Sequence, residues 1–260
     1  GAHAADFFGN LDGTQGVTTP TPKGFRAHLW DSKSTPKDLL SKATLGKWVV
    51  NWIGDSGSNT GVTPVGSTGW NQAVANSSTI YADVDTTYNH YAAQPRYFAS
   101  IVGKKMQWRA RGSEIVYAPT LKSFRVAIKF HGSITKELAE GDFGWTVSWI
   151  GVTEVQHHSR EYGSYLSSTS APDWSLDPRG KGLYMDIIAS QGGKAFPAPP
   201  VYISSISVDT VKWNIGGSAA VGRATNTGFR QYLGKRQAPP VAFAKMYKWV
   251  VNYVGYDGPV

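Results

Sequence analysis

The sequence predicts an all-β chain of tandem antiparallel β-sandwich modules, two full copies and an N-terminal half copy, and three observations predict it. One ending recurs three times: Gly46-Lys47-Trp48-Val49-Val50-Asn51-Trp52-Ile53-Gly54, Phe143-Gly144-Trp145-Thr146-Val147-Ser148-Trp149-Ile150-Gly151 and Tyr247-Lys248-Trp249-Val250-Val251-Asn252-Tyr253-Val254-Gly255. A repeat at this spacing marks repeated structural units. The composition suits strands and sharp turns, with ten Trp, 13 Tyr, 10 Phe, 29 Gly and 14 Pro; aromatic side chains favour pleated surfaces, and Gly and Pro favour reversals. Helical periodicity is scarce.

The recurring ending alternates as a strand does, placing Trp48, Val50 and Trp52 on one face and Val49, Asn51 and Ile53 on the other. The Trp face is the expected core face, and Phe25, Trp48, Trp52, Trp145, Trp149 and Trp249 are the expected core and assembly residues. Upstream, Phe25-Arg26, Phe124-Arg125 and Phe229-Arg230 each follow a turn-like stretch and open a further strand. The second and third copies match further back at a constant offset of 105, through Trp108 and Trp213, Gly112 and Gly217, and Pro95 and Pro200. Two more correspondences extend the match, Ile80-Tyr81-Ala82-Asp83-Val84 with Leu183-Tyr184-Met185-Asp186-Ile187 and Trp70 with Trp174.

These matches divide the chain into a half module over residues 1–60, a full module over 61–156, and a linker plus second full module over 157–260. Residues 156–164 read as linker, being polar and without period. The first 60 residues correspond to the second half of a module only. Half a sandwich exposes an apolar face and unpaired strand edges, both of which invite another chain.

The strand motifs carry a resemblance. The stretch Pro199 to Asp209, the turn Thr225 to Phe229 and the ending Trp249 to Gly255 resemble the H-type lectin domain, an antiparallel sandwich. That resemblance implies a glycan rim, for which Asp209, Arg223 and Asn226 are the candidates; Lys104 stands where the second module would need the equivalent of Asp209. The opening Gly66-Ser67-Thr68-Gly69-Trp70, the strand Ile80 to Thr86 and the ending Gly144 to Gly151 are similar to a repeat of diatom-lineage algal proteins. Tandem modules of this kind resemble the pyrenoid shell protein family. That likeness implies a self-assembling, non-enzymatic lattice subunit around the Rubisco matrix, at the pyrenoid periphery in the chloroplast stroma. The lectin likeness implies instead a secreted or cell-surface protein that binds carbohydrate.

Composition narrows the chemistry. The chain has no Cys, which excludes disulfides and thiolate chemistry. A net charge of +8 favours acidic partners, Rubisco among them. No stretch is long and apolar enough for a membrane helix, and Gly1 to Asp6 reads as neither signal nor transit peptide.

Gly54-Asp55-Ser56-Gly57 has the look of a nucleophile loop, but the sister copies carry repeat-end turns there. Adjacent His157 and His158 point to opposite sides of an extended chain, which suits a solvated pair better than metal ligands. Asp83 and Asp85 share a strand face, as an acid and base would, yet the third copy has Asp186 and Ile188. Lys104, Lys105, Arg109 and Arg111 around Met106 and Trp108 mix charge and aromatics as nucleic-acid binders do, but the third copy has far less charge, so nucleic acid is not the expected partner. The sequence predicts no catalytic residue, no metal and no cofactor.

Overall fold

Strand-forming residues dominate the observed elements, and the protein is all-β; the described residues also hold two short α-helices, a 3-10 turn at Thr87–Asn89 and a π-helical turn at Leu138–Asp142. The computed structural model describes residues 13–30, 34–45, 48–50, 52, 59–73, 78–106, 109–111, 115–153, 160–166, 174–176, 182–189, 195–208, 216–234, 241–246 and 249–256. In chain order, the hairpin β1 (Gly13–Thr21) and β2 (Gly24–Trp30) leads to helix α1 (Pro36–Leu45). Next come β3 (Thr60–Val62), β4 (Asn71–Gln72), β5 (Thr79–Asp85), β6 (Arg96–Val102), β7 (Ala110–Arg111), β8 (Ile115–Tyr117), β9 (Ser123–Phe130) and β10 (Thr146–Val152). The remainder comprises β11 (Arg160–Leu166), β12 (Ser175–Leu176), β13 (Gly182–Ile188), β14 (Val201–Val208), β15 (Gly216–Thr225), β16 (Gly228–Gly234), helix α2 (Val241–Met246) and β17 (Val250–Tyr256).

These strands form three sheets. Sheet A runs β2-β1-β6-β10-β3, sheet B runs β11-β17-β14-β8-β9-β5-β4 with β7 also on β9, and sheet C runs β12-β13-β16-β15. Two parallel pairings that no sequence pattern announced weld the segments together. Gly16 and Val17 of β1 pair with Ile101 and Val102, and Ile206 to Val208 of β14 pair with Ile115 to Tyr117 of β8.

Burial follows strand alternation. One core takes Ile80, Ala82 and Val84 from β5, Tyr97, Ala99 and Ile101 from β6, Phe124, Val126 and Ile128 from β9, and Trp145, Val147 and Trp149. A second takes Leu183, Met185 and Ile187 from β13, Tyr202, Ile206 and Val208 from β14, and Trp249, Val251 and Tyr253. Strand β8 serves both, with Val116 in the first core and Ile115 and Tyr117 in the second.

A third, small cluster joins Phe98 and Val152 to Val254, with Ile150 and Ile203 against them. The even-numbered face of β6 and β10 thus meets the face of β14 and β17 carrying Ile203 and Val254. Across the β14–β8 pairing, that same face of sheet B continues into Val116 and the first core, which covers the odd-numbered face of β6. One face of sheet B therefore covers both faces of β6 and β10, so sheet B curls around the edge of β6. The buried Ser205 hydroxyl fastens this wrap by donating to the Tyr97 carbonyl at 2.9 Å.

Three sequence expectations meet a different structure. Trp48 to Val50 are not strand, and the expected core face there is open, with Val50 55% and Trp52 59% exposed. Arg160 to Ser164, read as linker, belongs to β11, which pairs with β17 along its whole length; an edge strand tolerates polar residues and Gly because one side faces water. The helices also escaped the period reading. Thr35 caps α1, its hydroxyl accepting from the Asp38 amide and donating to the Asp38 carboxylate at 2.7 Å, a reciprocal cap worth about 1 kcal/mol.

Candidate functional site

The three Phe-Arg hairpins are built alike. In each, a Thr hydroxyl closes the turn by donating to a carbonyl three residues on: Thr21 to Gly24 at 2.9 Å, Thr120 to Ser123 at 3.1 Å and Thr225 to Gly228 at 3.0 Å. The same oxygen accepts the amide two residues on, from Lys23, Lys122 and Thr227. These bonds fix where the following Phe projects.

Each Phe then meets the last aromatic of the recurring ending edge-on. The ring centroids lie 5.9 Å apart at 72° for Phe25 and Trp52, 5.9 Å at 76° for Phe124 and Trp149, and 5.6 Å at 70° for Phe229 and Tyr253. Edge-to-face contact at this spacing is the favoured aromatic geometry.

The copies differ in what lies above. Tyr97 of β6 covers Phe124 at 4.5 Å and donates its hydroxyl to the Thr120 carbonyl at 3.0 Å. Tyr202 of β14 covers Phe229 at 4.7 Å and donates to the Thr225 carbonyl at 3.2 Å. Burial raises the Tyr97 pKa, which keeps that hydroxyl protonated and donating. Above Phe25 the described residues supply no such tyrosine, and the ring is 37% exposed, against 1% for Phe124 and 3% for Phe229. Val49, Val50 and Leu45 are exposed as well.

Compared with known protein families, curated proteins and solved structures, the chain matches none.

The remaining candidates fall as follows. Trp145 and Trp149 are buried in the first core and Trp249 in the second, while Trp48 is half-buried. Trp145 donates its indole N–H to the Lys105 carbonyl at 2.9 Å, and its own carbonyl accepts from Trp70 at 3.1 Å. Arg223 and Asn226 are exposed toward the β15–β16 turn, and Asp209, the third glycan candidate, lies outside the described residues. So do Asp55, Ser56, Trp108, His157 and His158.

Asp83 and Asp85, weighed as an acid–base pair, have separate structural partners. Asp83 binds Arg125 through two bonds of 2.6 and 2.8 Å. Asp85 accepts the Thr87 amide and hydroxyl at 2.8 and 2.6 Å, and those bonds lower its pKa. In the basic stretch, Lys104 and Lys105 are exposed, Arg109 and Arg111 are half-buried, and Met106 packs on the first core.

Open clefts among the described residues include two that bear on the candidates. One of about 300 Å³ lies where β6 meets sheet B, lined by Gln94, Arg96, Pro119, Ser207, Val250 and Asn252. Asn252 donates to Ser207 at 2.6 Å, and no His, Asp or Glu lines the cleft to serve that hydroxyl as a base. The other, about 360 Å³, is lined by Tyr117, Thr120, Phe124 and the Asp83–Arg125 pair. Among the described residues no three His, Cys, Asp or Glu side chains gather as a metal site would need, and no helix is long and apolar enough to cross a membrane.

Sequence reasoning had singled out the Phe and Trp positions but not their cover. The available signal was the Tyr shared by Pro95-Arg96-Tyr97 and Pro200-Val201-Tyr202.

Proposed function

We propose that this chain is a non-catalytic structural protein, two sandwich modules and a half module, that self-assembles into a sheet-like shell or lattice. The observation that carries the reading is the uncovered Phe25–Trp52 pair. The same pair geometry occurs three times in one chain, and two of the three are sealed by a tyrosine and an opposing sheet. An apolar, aromatic seat of this kind is what a neighbouring subunit buries, because removing it from water contributes about 25 cal/mol per Å².

The strand wrap supports the same reading. Sheet B holds both cores and both faces of β6 and β10 in one unit, a rigid tile able to transmit contacts across a lattice. In this reading, which takes up the resemblance of the strand motifs to the pyrenoid shell proteins (PyShell), the tile would belong at the periphery of an algal pyrenoid, in the chloroplast stroma. The net charge of +8 suits an acidic partner such as Rubisco.

The test is electron microscopy and particle mass of the purified protein over a wide concentration range. Sheets, tubes or large particles that grow with concentration support the proposal. Isolated monomers throughout would remove it.

A further inference from the structure

The cleft where β6 meets sheet B is walled by both full modules. From one come Gln94, Pro95 and Arg96 at the start of β6 and Pro119 in the β8–β9 turn; from the other come Ser207 and Val208 of β14 and Val250 and Asn252 of β17. Three bonds of 2.9 Å hold those walls in place. The Ser205 hydroxyl donates to the Tyr97 carbonyl, the Ala118 amide to the Val208 carbonyl, and the Gln94 side-chain amide to the Pro119 carbonyl. A gap of about 300 Å³ framed in this way is already formed, and it lies at the small end of the range that sites for small molecules occupy.

The repeat accounts for the frame and not for the polar lining. At the constant offset of 105, Pro95 corresponds to Pro200, but Gln94 corresponds to Pro199, Arg96 to Val201 and Ser207 to Val102. Strands β6 and β14 form with either set, so strand formation does not call for an amide, a guanidinium and a hydroxyl at these places. All three polar residues line the same cleft.

Their chemistry specifies a ligand. Arg96 is the one ionisable side chain among the described lining residues, and it carries a fixed positive charge whose planar fork of donors matches carboxylate or phosphate. The Gln94 nitrogen is committed to Pro119, which leaves its side-chain carbonyl to accept from a hydroxyl group. The Ser207 oxygen accepts from Asn252 at 2.6 Å, which leaves the Ser207 hydroxyl hydrogen to be donated. Pro95, Pro119, Val208 and Val250 add apolar surface for C–H groups. An inorganic anion would use Arg96 and ignore Gln94, and a neutral sugar would leave the charge unused.

We propose that this cleft binds a hydroxyl-bearing anion of monosaccharide size, a sugar acid or a sugar phosphate. Both walls belong to one chain, so the site goes beyond the lattice reading and does not rest on it.

The test is saturation-transfer NMR of the full chain with glucuronate, glucose 6-phosphate, glucose and inorganic phosphate, on the wild type, Arg96→Gln, Arg96→Lys and Gln94→Ala. For ligands of about a dozen non-hydrogen atoms, dissociation constants on the order of millimolar are expected. At least one of the sugar anions should bind the wild type about tenfold more tightly than glucose, the scale of one charge-assisted bond, and the tighter of the two identifies the charged group as carboxylate or phosphate. That preference should vanish in Arg96→Gln and persist, reduced, in Arg96→Lys, which keeps the charge without the fork. Gln94 is exposed, so Gln94→Ala keeps its fold, and it should weaken the preferred sugar anion about fivefold while leaving inorganic phosphate unchanged. No binding of either sugar anion, glucose bound as tightly as both, or inorganic phosphate bound as tightly as both would each overturn the proposal. So would a preference that survives in Arg96→Gln, one lost as completely in Arg96→Lys, or sugar-anion binding that Gln94→Ala does not change.

Discussion

Truncating the same phenylalanine in each of the three hairpins should give two different phenotypes. Phe124 and Phe229 are 1% and 3% exposed, each between an aromatic partner and a covering tyrosine. Removing such a ring leaves a cavity and costs about 3–5 kcal/mol. Phe25 is 37% exposed and touches Trp52 alone among the aromatic pairs described, so in the dissociated chain Phe25→Ala should cost only about 1 kcal/mol, the scale of one aromatic contact. In the assembly the order reverses, because the ring would be a buried anchor whose loss costs about 2 kcal/mol or more per contact.

The assay is urea denaturation followed by tryptophan fluorescence at a concentration below assembly, together with mass photometry above it. Strand β8 contributes to both cores, so either core opening exposes the other, and one cooperative transition is expected. The reasoning predicts a large midpoint shift for Phe124→Ala and Phe229→Ala, a small one for Phe25→Ala, and loss of large particles for Phe25→Ala. Equal destabilisation by all three in the dissociated chain would refute it, since Phe25 would then already be covered within one molecule.

Other outcomes follow from the same contacts. Gly228→Ala would drive a methyl group into the Ile187 carbonyl oxygen, and backbone cannot give way cheaply; a loss of about 2 kcal/mol in urea midpoint analysis is expected, and a neutral result would contradict the turn geometry. A double-mutant cycle on Arg230→Met and Asp186→Asn should give a coupling near 1 kcal/mol, larger than for Arg125 and Asp83, because Arg230 is 14% exposed and Arg125 34%; the opposite order would count against it.

His28 offers a pH test. Its pKa is held below 6.5, first by desolvation and then by the Arg26 charge. The unfolded chain therefore takes up the proton first, so this contribution to stability is present above pH 6.5 and is lost as pH falls through the folded value. An NMR titration should place the His28 midpoint below 6.5 and move it upward in Arg26→Met; no movement would separate the two groups.

The all-β character was legible because it rests on strong local signals. Alternating aromatic and aliphatic residues around Trp145, Val147 and Trp149 could serve as nothing but a strand with one buried face. The same pattern at Trp48 and Trp52 misled because alternation states which residues want burial, not whether an opposing sheet is present. The welds between β8 and β14 and between β1 and β6 left no trace in the sequence, since short parallel pairings join strands remote in the chain through backbone groups that every residue carries.

Within the candidate site, Phe25 and Trp52 were legible from the repeat. The tyrosine cover over the other two Phe rings could have been noticed from Tyr97 and Tyr202, but its meaning required the distances. Asp83 was weighed for catalysis because spacing on a strand places it beside Asp85; only the cross-strand register shows it committed to Arg125. The short helices were masked by their length, although Thr35-Pro36-Lys37-Asp38 is a capping signature available to inspection.

The claim on which the rest depends is that the Phe25–Trp52 surface is completed by another chain. Hydroxyl-radical footprinting of the assembled protein and of the dissociated chain tests it directly, reading the oxidation of each aromatic by mass spectrometry. The account predicts that Trp52 and Phe25 are labelled readily in the dissociated chain and protected in the particle, while Trp145 and Phe124 are protected in both. Equal labelling of Trp52 in the two states would contradict it.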